Sequence, residues 1–256
     1  MKLHTRRWSS GASGPVVACL HGIGQHGGVF VRLARDLAPV GVQLVAVDLR
    51  GHGLSHKQPP WDVGTHVTDL AETFECLGVE PDTWIAHSFG ARVALEYATR
   101  NGAAARRLAL LEPGVQIDPA TALARAEIER LDWAFNGPDA AFRVLAAHGV
   151  PEHSHPAIRS YIEEDLVLGG DGQYRFSHSP ASVAVAWSEM CSPLARPDRT
   201  DLLVVHAANS APLTDSPDGA WLESTAAVAE VPYGHNVLWE SPEETAAAVQ
   251  AFLVGA

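Results

Sequence analysis

Short apolar runs alternate with stretches of helical spacing along most of the chain. Runs typical of strands that are covered on both faces occur at residues 16–20, 44–47, 83–86, 108–111, 202–205 and 227–231. Apolar residues recur every three or four positions in residues 30–37 and 67–77, which predicts amphipathic helices. Ser241 and Glu244 form an S-x-x-E capping box for a final helix that runs to Leu253. Repeated alternation of strand and helix predicts an α/β fold around a mainly parallel sheet.

Residues 113–195 interrupt this alternation. They contain no run suited to a buried strand and show helical patterns at residues 119–135, 139–148, 156–166 and 181–190. Asp118 before Pro119 is typical of a helix start, and residues 169–173 are typical of a tight turn. We therefore expect residues 1–112 and 196–256 to form the core region, with an inserted segment (residues 113–195) as a helical cap over the carboxyl ends of the strands. Open α/β sheets bind their ligands at those ends.

Composition excludes several classes of protein. The chain has 256 residues, of which 46% are hydrophobic and 19% charged, so it can bury a sizeable core as one large domain or two small ones. Its net charge of −12 with no basic block argues against nucleic-acid binding. Three cysteines without a CxxC spacing favour a reducing compartment. No apolar stretch is long enough for a membrane span, so we expect a cytoplasmic protein without a membrane partner, either a monomer or a homodimer.

A serine lies where a predicted strand meets a predicted helix. Residues 86–90 read Ala-His-Ser-Phe-Gly, between the apolar run at 83–86 and a helical run at 92–97. A serine at such a sharp turn projects its hydroxyl from the sheet, while the next amide, that of Phe89, faces the same pocket. Small residues two before and two after Ser88 let the strand and the helix approach each other. The usual motif is G-x-S-x-G, and here Ala86 replaces its first glycine.

Two further segments at predicted strand ends carry chemistry. The glycine-rich turn (residues 21–26, His-Gly-Ile-Gly-Gln-His) follows the first apolar run and can present backbone amides, that of Ile23 in particular, to a developing oxyanion. His235, between Gly234 and Asn236, follows the last apolar run. Imidazole is the side chain best suited to proton transfer near neutral pH.

These motifs, in this order, resemble those of the α/β-hydrolase superfamily. The resemblance rests on His21-Gly22, a D-x-R-G-x-G-x-S loop at residues 48–55, the elbow at Ser88 and Gly-His-Asn at 234–236. It is strongest over residues 15–112 and 200–254, whereas 113–195 corresponds to the variable cap. The resemblance implies a mainly parallel α/β-hydrolase sheet flanked by helices, with a helical cap inserted after the family's sixth strand, here residues 108–111.

The resemblance also implies a mechanism. Ser88 would attack a carbonyl carbon, His235 would take its proton and return it to the leaving group, and the amides of Ile23 and Phe89 would bind the oxyanion. Relatives that act as haloalkane dehalogenases or epoxide hydrolases attack with an elbow aspartate. A serine there therefore points to acyl chemistry.

The third member of the triad departs from the usual pattern. Relatives usually place the acid shortly after the seventh strand, but here residues 206–212 contain no carboxylate, and Asp215 comes beyond the usual place. Some relatives place it at the end of the sixth strand, where this chain has Glu112. We favour Glu112 and keep Asp215 as the alternative.

The candidate substrate-binding residues are His21, Gly22, Gly24, Gln25, Trp133 and Trp187, although packing alone would also explain the tryptophans. His153 and His155 lack a third spaced ligand, so we predict no metal site and no cofactor. The leading hypothesis is a serine hydrolase acting on a small to medium, neutral, fairly apolar ester, thioester or lactone. The alternatives are a C–C hydrolase, perhydrolase or cofactor-free oxygenase of the same fold, or a binding protein that has lost the chemistry.

Overall fold

The computed structural model describes residues 2–9, 14–131, 133–147 and 156–255. The strands are β1 (Thr5–Ser9), β2 (Val16–Leu20), β3 (Gln43–Val47), β4 (Thr83–His87), β5 (Arg107–Leu111), β6 (Leu166–Leu168), β7 (Tyr174–Phe176), β8 (Asp201–Ala207) and β9 (Ala227–Val231). The α-helices are α1 (Val31–Asp36), α2 (Val63–Leu77), α3 (Phe89–Asn101), α4 (Pro119–Glu129), α5 (Pro138–Ala147), α6 (Pro156–Asp165), α7 (Pro180–Glu189), α8 (Pro217–Thr225), α9 (Val237–Glu240) and α10 (Pro242–Val254).

Seven strands form one sheet in the order β1-β3-β2-β4-β5-β8-β9. Only β1 runs antiparallel to its neighbour, and the other pairs are parallel. The carboxyl ends of β4, β5, β8 and β9 therefore lie side by side along one edge of the sheet. This order confirms the predicted α/β-hydrolase architecture with a mainly parallel sheet.

Helices cover both faces of the sheet. On one face, residues of α2, α3 and α8 pack with alternate strand residues such as Trp84 and Leu108, which are fully buried. On the other, α1 and α10 pack with the intervening residues such as Ile85 and Ala109. Each central strand is thus apolar on both sides, which is the physical reason for its continuous apolar run.

The inserted segment contains helices α4 to α7, between β5 and β8 in the chain. The Asp118 carboxylate caps α4 by accepting from the backbone N–H groups of Ala120 and Thr121. Helix α4 ends at Glu129, earlier than predicted. The predicted turn at 169–173 joins two short, half-exposed strands, β6 and β7, which the apolar pattern did not reveal. The division into core and cap stays a prediction.

Two other expectations need correction. The apolar pattern does not predict β1, an edge strand of alternating exposure that pairs with β3. The capping box at Ser241 is wrong: the serine hydroxyl donates to the carbonyl of Pro232 and makes no cap hydrogen bond to α10. In the described ranges, no helix combines the length and apolar character needed to cross a bilayer.

Candidate active site

Ser88 occupies a strained turn between β4 and α3. Its φ of 52° and ψ of −118° place a non-glycine residue in a region that side chains rarely adopt. A Cβ on Gly90 would lie 2.5 Å from the carbonyl oxygen of Leu20, so only glycine lets α3 approach β2 this closely. The chain therefore makes the sharp strand-to-helix turn that the sequence predicts.

The hydroxyl of Ser88, the imidazole of His235 and the carboxylate of Glu112 form a continuous chain of hydrogen bonds. His235 Nε2 lies 2.9 Å from Ser88 Oγ, and His235 Nδ1 lies 3.2 Å from Glu112 Oε2. With the Nδ1–H tautomer, the ring donates to the carboxylate and accepts from the serine hydroxyl. The three side chains follow β4, β5 and β9, so the parallel order of the sheet brings them to one edge.

Glu112 is held as a buried anion. Its side chain is 6% exposed, and it accepts hydrogen bonds from the Ala207 N–H at 2.6 Å and the Ser210 hydroxyl at 2.7 Å. His206 Nδ1 lies 2.9 Å from Oε1. Burial alone would raise the pKa of Glu112, but hydrogen bonds from His235, Ala207 and Ser210 outweigh it and lower that pKa below its usual value. The carboxylate is therefore charged at neutral pH.

The loop that presents His235 is fixed on both sides of the residue. The N–H groups of Gly234 and Asn236 donate to the Glu240 carboxylate at 2.8 and 3.2 Å. His87 Nε2 lies 2.9 Å from the carbonyl oxygen of His235, and His87 Nδ1 lies 3.0 Å from Gln25 Oε1. Burial lowers the pKa of His87 to about 3, so the ring is neutral and its single N–H donates to one of these two oxygens. The imidazole of His235 is thereby held over Ser88 although it is half exposed.

The glycine-rich turn lies directly beside Ser88. A Cβ on Gly22 would come within 3.1 Å of the Ser88 Cβ, and the Gly24 N–H donates to His52 Nε2 at 3.2 Å. Phe89 is the first residue of α3, where helix N–H groups lack intrahelical acceptors. Ile23 and Phe89 thus belong to segments that flank the serine, and their role as oxyanion donors stays a prediction.

The side chains of two candidate substrate-binding residues, His21 and Gln25, form hydrogen bonds within the protein. His21 is fully buried; its Nδ1–H donates to the Gly22 carbonyl at 2.8 Å, and its Nε2 accepts from the Leu49 N–H at 2.9 Å. Gln25 Oε1 accepts from the Gly22 N–H at 2.9 Å. These bonds use both side chains to fix the glycine-rich turn, and contact of His21 and Gln25 with substrate stays a prediction.

The remaining candidate residues are two tryptophans, the alternative acid Asp215 and a pair of histidines. The Trp133 indole N–H donates to the Ile128 carbonyl, and Trp187 packs on the core with the Arg125 guanidinium 6.0 Å from its ring. Their contact with substrate stays a prediction. Asp215 lies on a short 3-10 turn and makes no hydrogen bond to His235 in the described structure. His153 and His155 lie outside the described residues, within which no group of three His, Cys, Asp or Glu side chains could hold a metal ion.

Local sequence patterns do not reveal four residues that support this site: His87, His206, Ser210 and Glu240. His87 directly precedes the serine, but nothing local indicates that its ring spans two loops. His206 and Ser210 lie at the end of β8 and in the turn after it, beside the strand that leads to Glu112. Polar residues at the ends of neighbouring strands are the signal that could have revealed them.

Comparison with known proteins identifies a family for the chain. A family model described as alpha/beta hydrolase fold matches residues 15–149. The chain is 29% identical to Lipase LipV of Mycobacterium tuberculosis, over 98% of this chain and 97% of that protein. It is 37% identical over 54% of its length to the pimeloyl-[acyl-carrier protein] methyl ester esterase of Chromobacterium violaceum, covering 56% of that esterase.

Comparison with solved structures also finds a hydrolase of similar fold. The crystal structure of E-2-(acetamidomethylene)succinate hydrolase superposes with a TM-score of 0.82 at 26% identity, covering 98% of this chain and 99% of that one. The matched family model spans more than half of the chain and includes Ser88 and Glu112. The chain therefore belongs to the alpha/beta hydrolase family and is a hydrolase.

Proposed function

We propose that the protein is a serine hydrolase that cleaves a small to medium, neutral, fairly apolar carboxylic ester, thioester or lactone through an acyl-enzyme on Ser88. The observation that carries the proposal is the unbroken contact from Ser88 Oγ through His235 to Glu112 Oε2, with distances of 2.9 and 3.2 Å. A serine hydroxyl is a weak nucleophile until a base takes its proton, and this arrangement supplies that base.

In the first half of the reaction, His235 Nε2 takes the hydroxyl proton as Ser88 Oγ forms a bond to the carbonyl carbon. The negative charge moves to the carbonyl oxygen, where the N–H groups of Ile23 and Phe89 would stabilise it. The imidazolium then gives its proton to the leaving alcohol or thiol as the bond to the leaving group breaks. Glu112 stays ionised and stabilises the positive charge on His235.

In the second half, a water molecule gives a proton to His235 Nε2 while its oxygen attacks the acyl carbon. The bond to Ser88 Oγ then breaks, the serine recovers its proton from His235, and a carboxylic acid leaves. The serine proton leaves with the alcohol or thiol and a proton from water replaces it, so the enzyme returns to its starting state without a cofactor.

Two observations support the substrate class. Relatives named as a lipase and a methyl ester esterase act, by their names, on ester bonds. A net charge of −12 disfavours polyanionic substrates. We propose small molecules as the reaction partners.

Steady-state hydrolysis of short-chain p-nitrophenyl esters tests the proposal. We expect turnover without added metal in the wild-type protein and a loss of about 10⁶-fold in Ser88→Ala. Circular dichroism of both proteins would show that the variant is folded. Equal rates for the two proteins would contradict a serine nucleophile, and ligand binding without any turnover in the wild type would instead favour a binding protein.

A further inference from the structure

The end of β8 and the turn that follows it surround the carboxylate of Glu112. The Glu112 N–H donates to the carbonyl of Val205 at 2.8 Å, which sets the end of β5 beside the end of β8. The side chain of Glu112 consequently lies against residues 206–210. The Ala207 N–H and the Ser210 hydroxyl donate to it, and His206 Nδ1 lies within ion-pair distance.

His206 makes one of the two short contacts to Glu112 Oε1. Its Nδ1 lies 2.9 Å from this oxygen, which is shorter than the 3.2 Å between His235 Nδ1 and Oε2. The imidazole of His206 is only 14% exposed. It is therefore largely shielded from solvent, which competes little for this contact.

Four polar groups divide evenly between the two carboxylate oxygens. His206 and the Ala207 N–H approach Oε1, while the Ser210 hydroxyl and His235 approach Oε2. An ionised carboxylate has about four acceptor positions, so these four groups surround it on both oxygens. A carboxylate held only through Oε2 could rotate about its last side-chain bond, whereas two contacts on Oε1 fix the plane in which Oε2 meets His235.

We propose that His206 is a positioning residue of the triad: it orients Glu112, and through Glu112 it holds His235 in the tautomer that accepts the Ser88 proton. This inference rests on the proposed function, in which Glu112 is the triad acid. His206 does not touch the reacting atoms. Its effect should therefore appear in kcat, which depends on the tautomer and orientation of His235, and little in KM.

The expected loss is smaller than that of the acid itself. Disturbing the acid of a serine triad lowers turnover by about 10⁴-fold. Without His206, the Ala207 N–H would still hold Oε1 and Ser210 would still hold Oε2. We expect a loss of about tenfold, as for one of several polar contacts to a charged group.

A matched pair of variants at position 206 tests this role. Asparagine places an amide N–H where the histidine has Nδ1, while leucine has nearly the same shape and no donor. We expect His206→Leu to lower kcat for a p-nitrophenyl ester about tenfold with KM little changed, and His206→Asn to recover most of that loss. The His235 Nδ1–H proton, read by ¹H NMR, should shift in the leucine variant and return toward its wild-type position in the asparagine variant.

A double-mutant cycle separates positioning from a general loss of structure. If His206 acts through Glu112, His206→Leu should have no further effect on kcat in a Glu112→Gln background. A tenfold loss that persists in that background would overturn the inference, as would a leucine variant with wild-type kcat. Full activity of Glu112→Gln alone would instead remove Glu112 from the proposed mechanism, so the two failures are distinguishable.

Discussion

The acid side of the site and the glycine-rich turn differ in which part of the molecule supports them. Every hydrogen bond to Glu112 and the bonds that fix the His235 loop come from the core region. The glycine-rich turn, in contrast, is also contacted by the inserted segment. The Tyr161 hydroxyl of α6 accepts from the His26 N–H at 3.1 Å, and the Tyr161 ring stacks on His26 at 4.2 Å.

We therefore expect the inserted segment to support the glycine-rich turn, in addition to its proposed role as a cap. The ring of His178, which follows β7, also lies beside Gly24: a Cβ there would be 3.7 Å from the His178 Cε1. Arg92 of α3 donates to the carbonyls of Gly114 and Ser192, near the two ends of the segment. Changes in the segment should therefore affect stabilisation of the oxyanion as well as the choice of substrate.

The largest expected effect lies on the acid side. Glu112→Gln keeps the shape of the side chain but removes the charge that stabilises the His235 imidazolium. We expect turnover of a p-nitrophenyl ester to fall by about 10⁴-fold with an unchanged circular dichroism spectrum. Asp215→Asn is the matched control and should retain activity. A large loss in the control and none in Glu112→Gln would make Asp215 the acid.

Acidification should weaken the core region around both parts of the site. Burial lowers the pKa of His21 to about 4, of His66 to about 4 and of His87 to about 3. Since these pKa values are lower in the folded state, the stability they confer is present above the unfolded value near 6.5 and is lost as pH falls toward the folded values. Each histidine should cost about 2 kcal/mol in unfolding free energy between pH 7 and pH 5.

Urea unfolding at pH 7 and pH 5 measures this loss. Asp165, whose pKa burial raises to about 7, acts in the opposite direction because its protonated form is favoured in the folded state. Three histidines outweigh one carboxyl group, so we expect a lower unfolding free energy at pH 5. An equal or higher value at pH 5 would show that the buried histidines do not stay neutral in the folded protein.

The smallest expected effect lies on the side of the inserted segment. Tyr161→Phe keeps the ring that stacks on His26 but removes the acceptor for the His26 N–H. The glycine-rich turn should then hold the Ile23 amide less firmly, and we expect kcat to fall about tenfold, less than the loss of a complete oxyanion donor. Tyr174→Phe, in β7 of the same segment, is the control and should behave as wild type. Equal kcat values for the two variants would mean that Tyr161 does not support the glycine-rich turn and that the core region alone holds it.

The central strands and the candidate serine and histidine of the site follow from local patterns, whereas the edge strands do not. The strand β1, Thr-Arg-Arg-Trp-Ser, lacks an apolar run because one of its sides has no neighbouring strand. The strands β6 and β7 have three residues each and lie half exposed, so burial leaves little mark on their sequence. At Ser241, the S-x-x-E pattern was overridden by a tertiary contact to Pro232.

The partners of Glu112 show why the site could be predicted from the sequence only in part. The sequence placed a carboxylate at a strand end, but 94 residues separate Glu112 from His206. Only the order of the sheet, in which β5 lies next to β8, brings them together. No local periodicity encodes that neighbourhood, so His206 and Ser210 became visible as partners of the acid only in the structure.

The claim that Ser88 is the nucleophile activated by His235 is tested most directly by peptide mass spectrometry after treatment with a fluorophosphonate. We predict a single phosphonyl adduct on the peptide containing Ser88, and no adduct at that position in folded His235→Ala. An unmodified Ser88 peptide in active enzyme, or equally fast labelling without His235, would contradict the account.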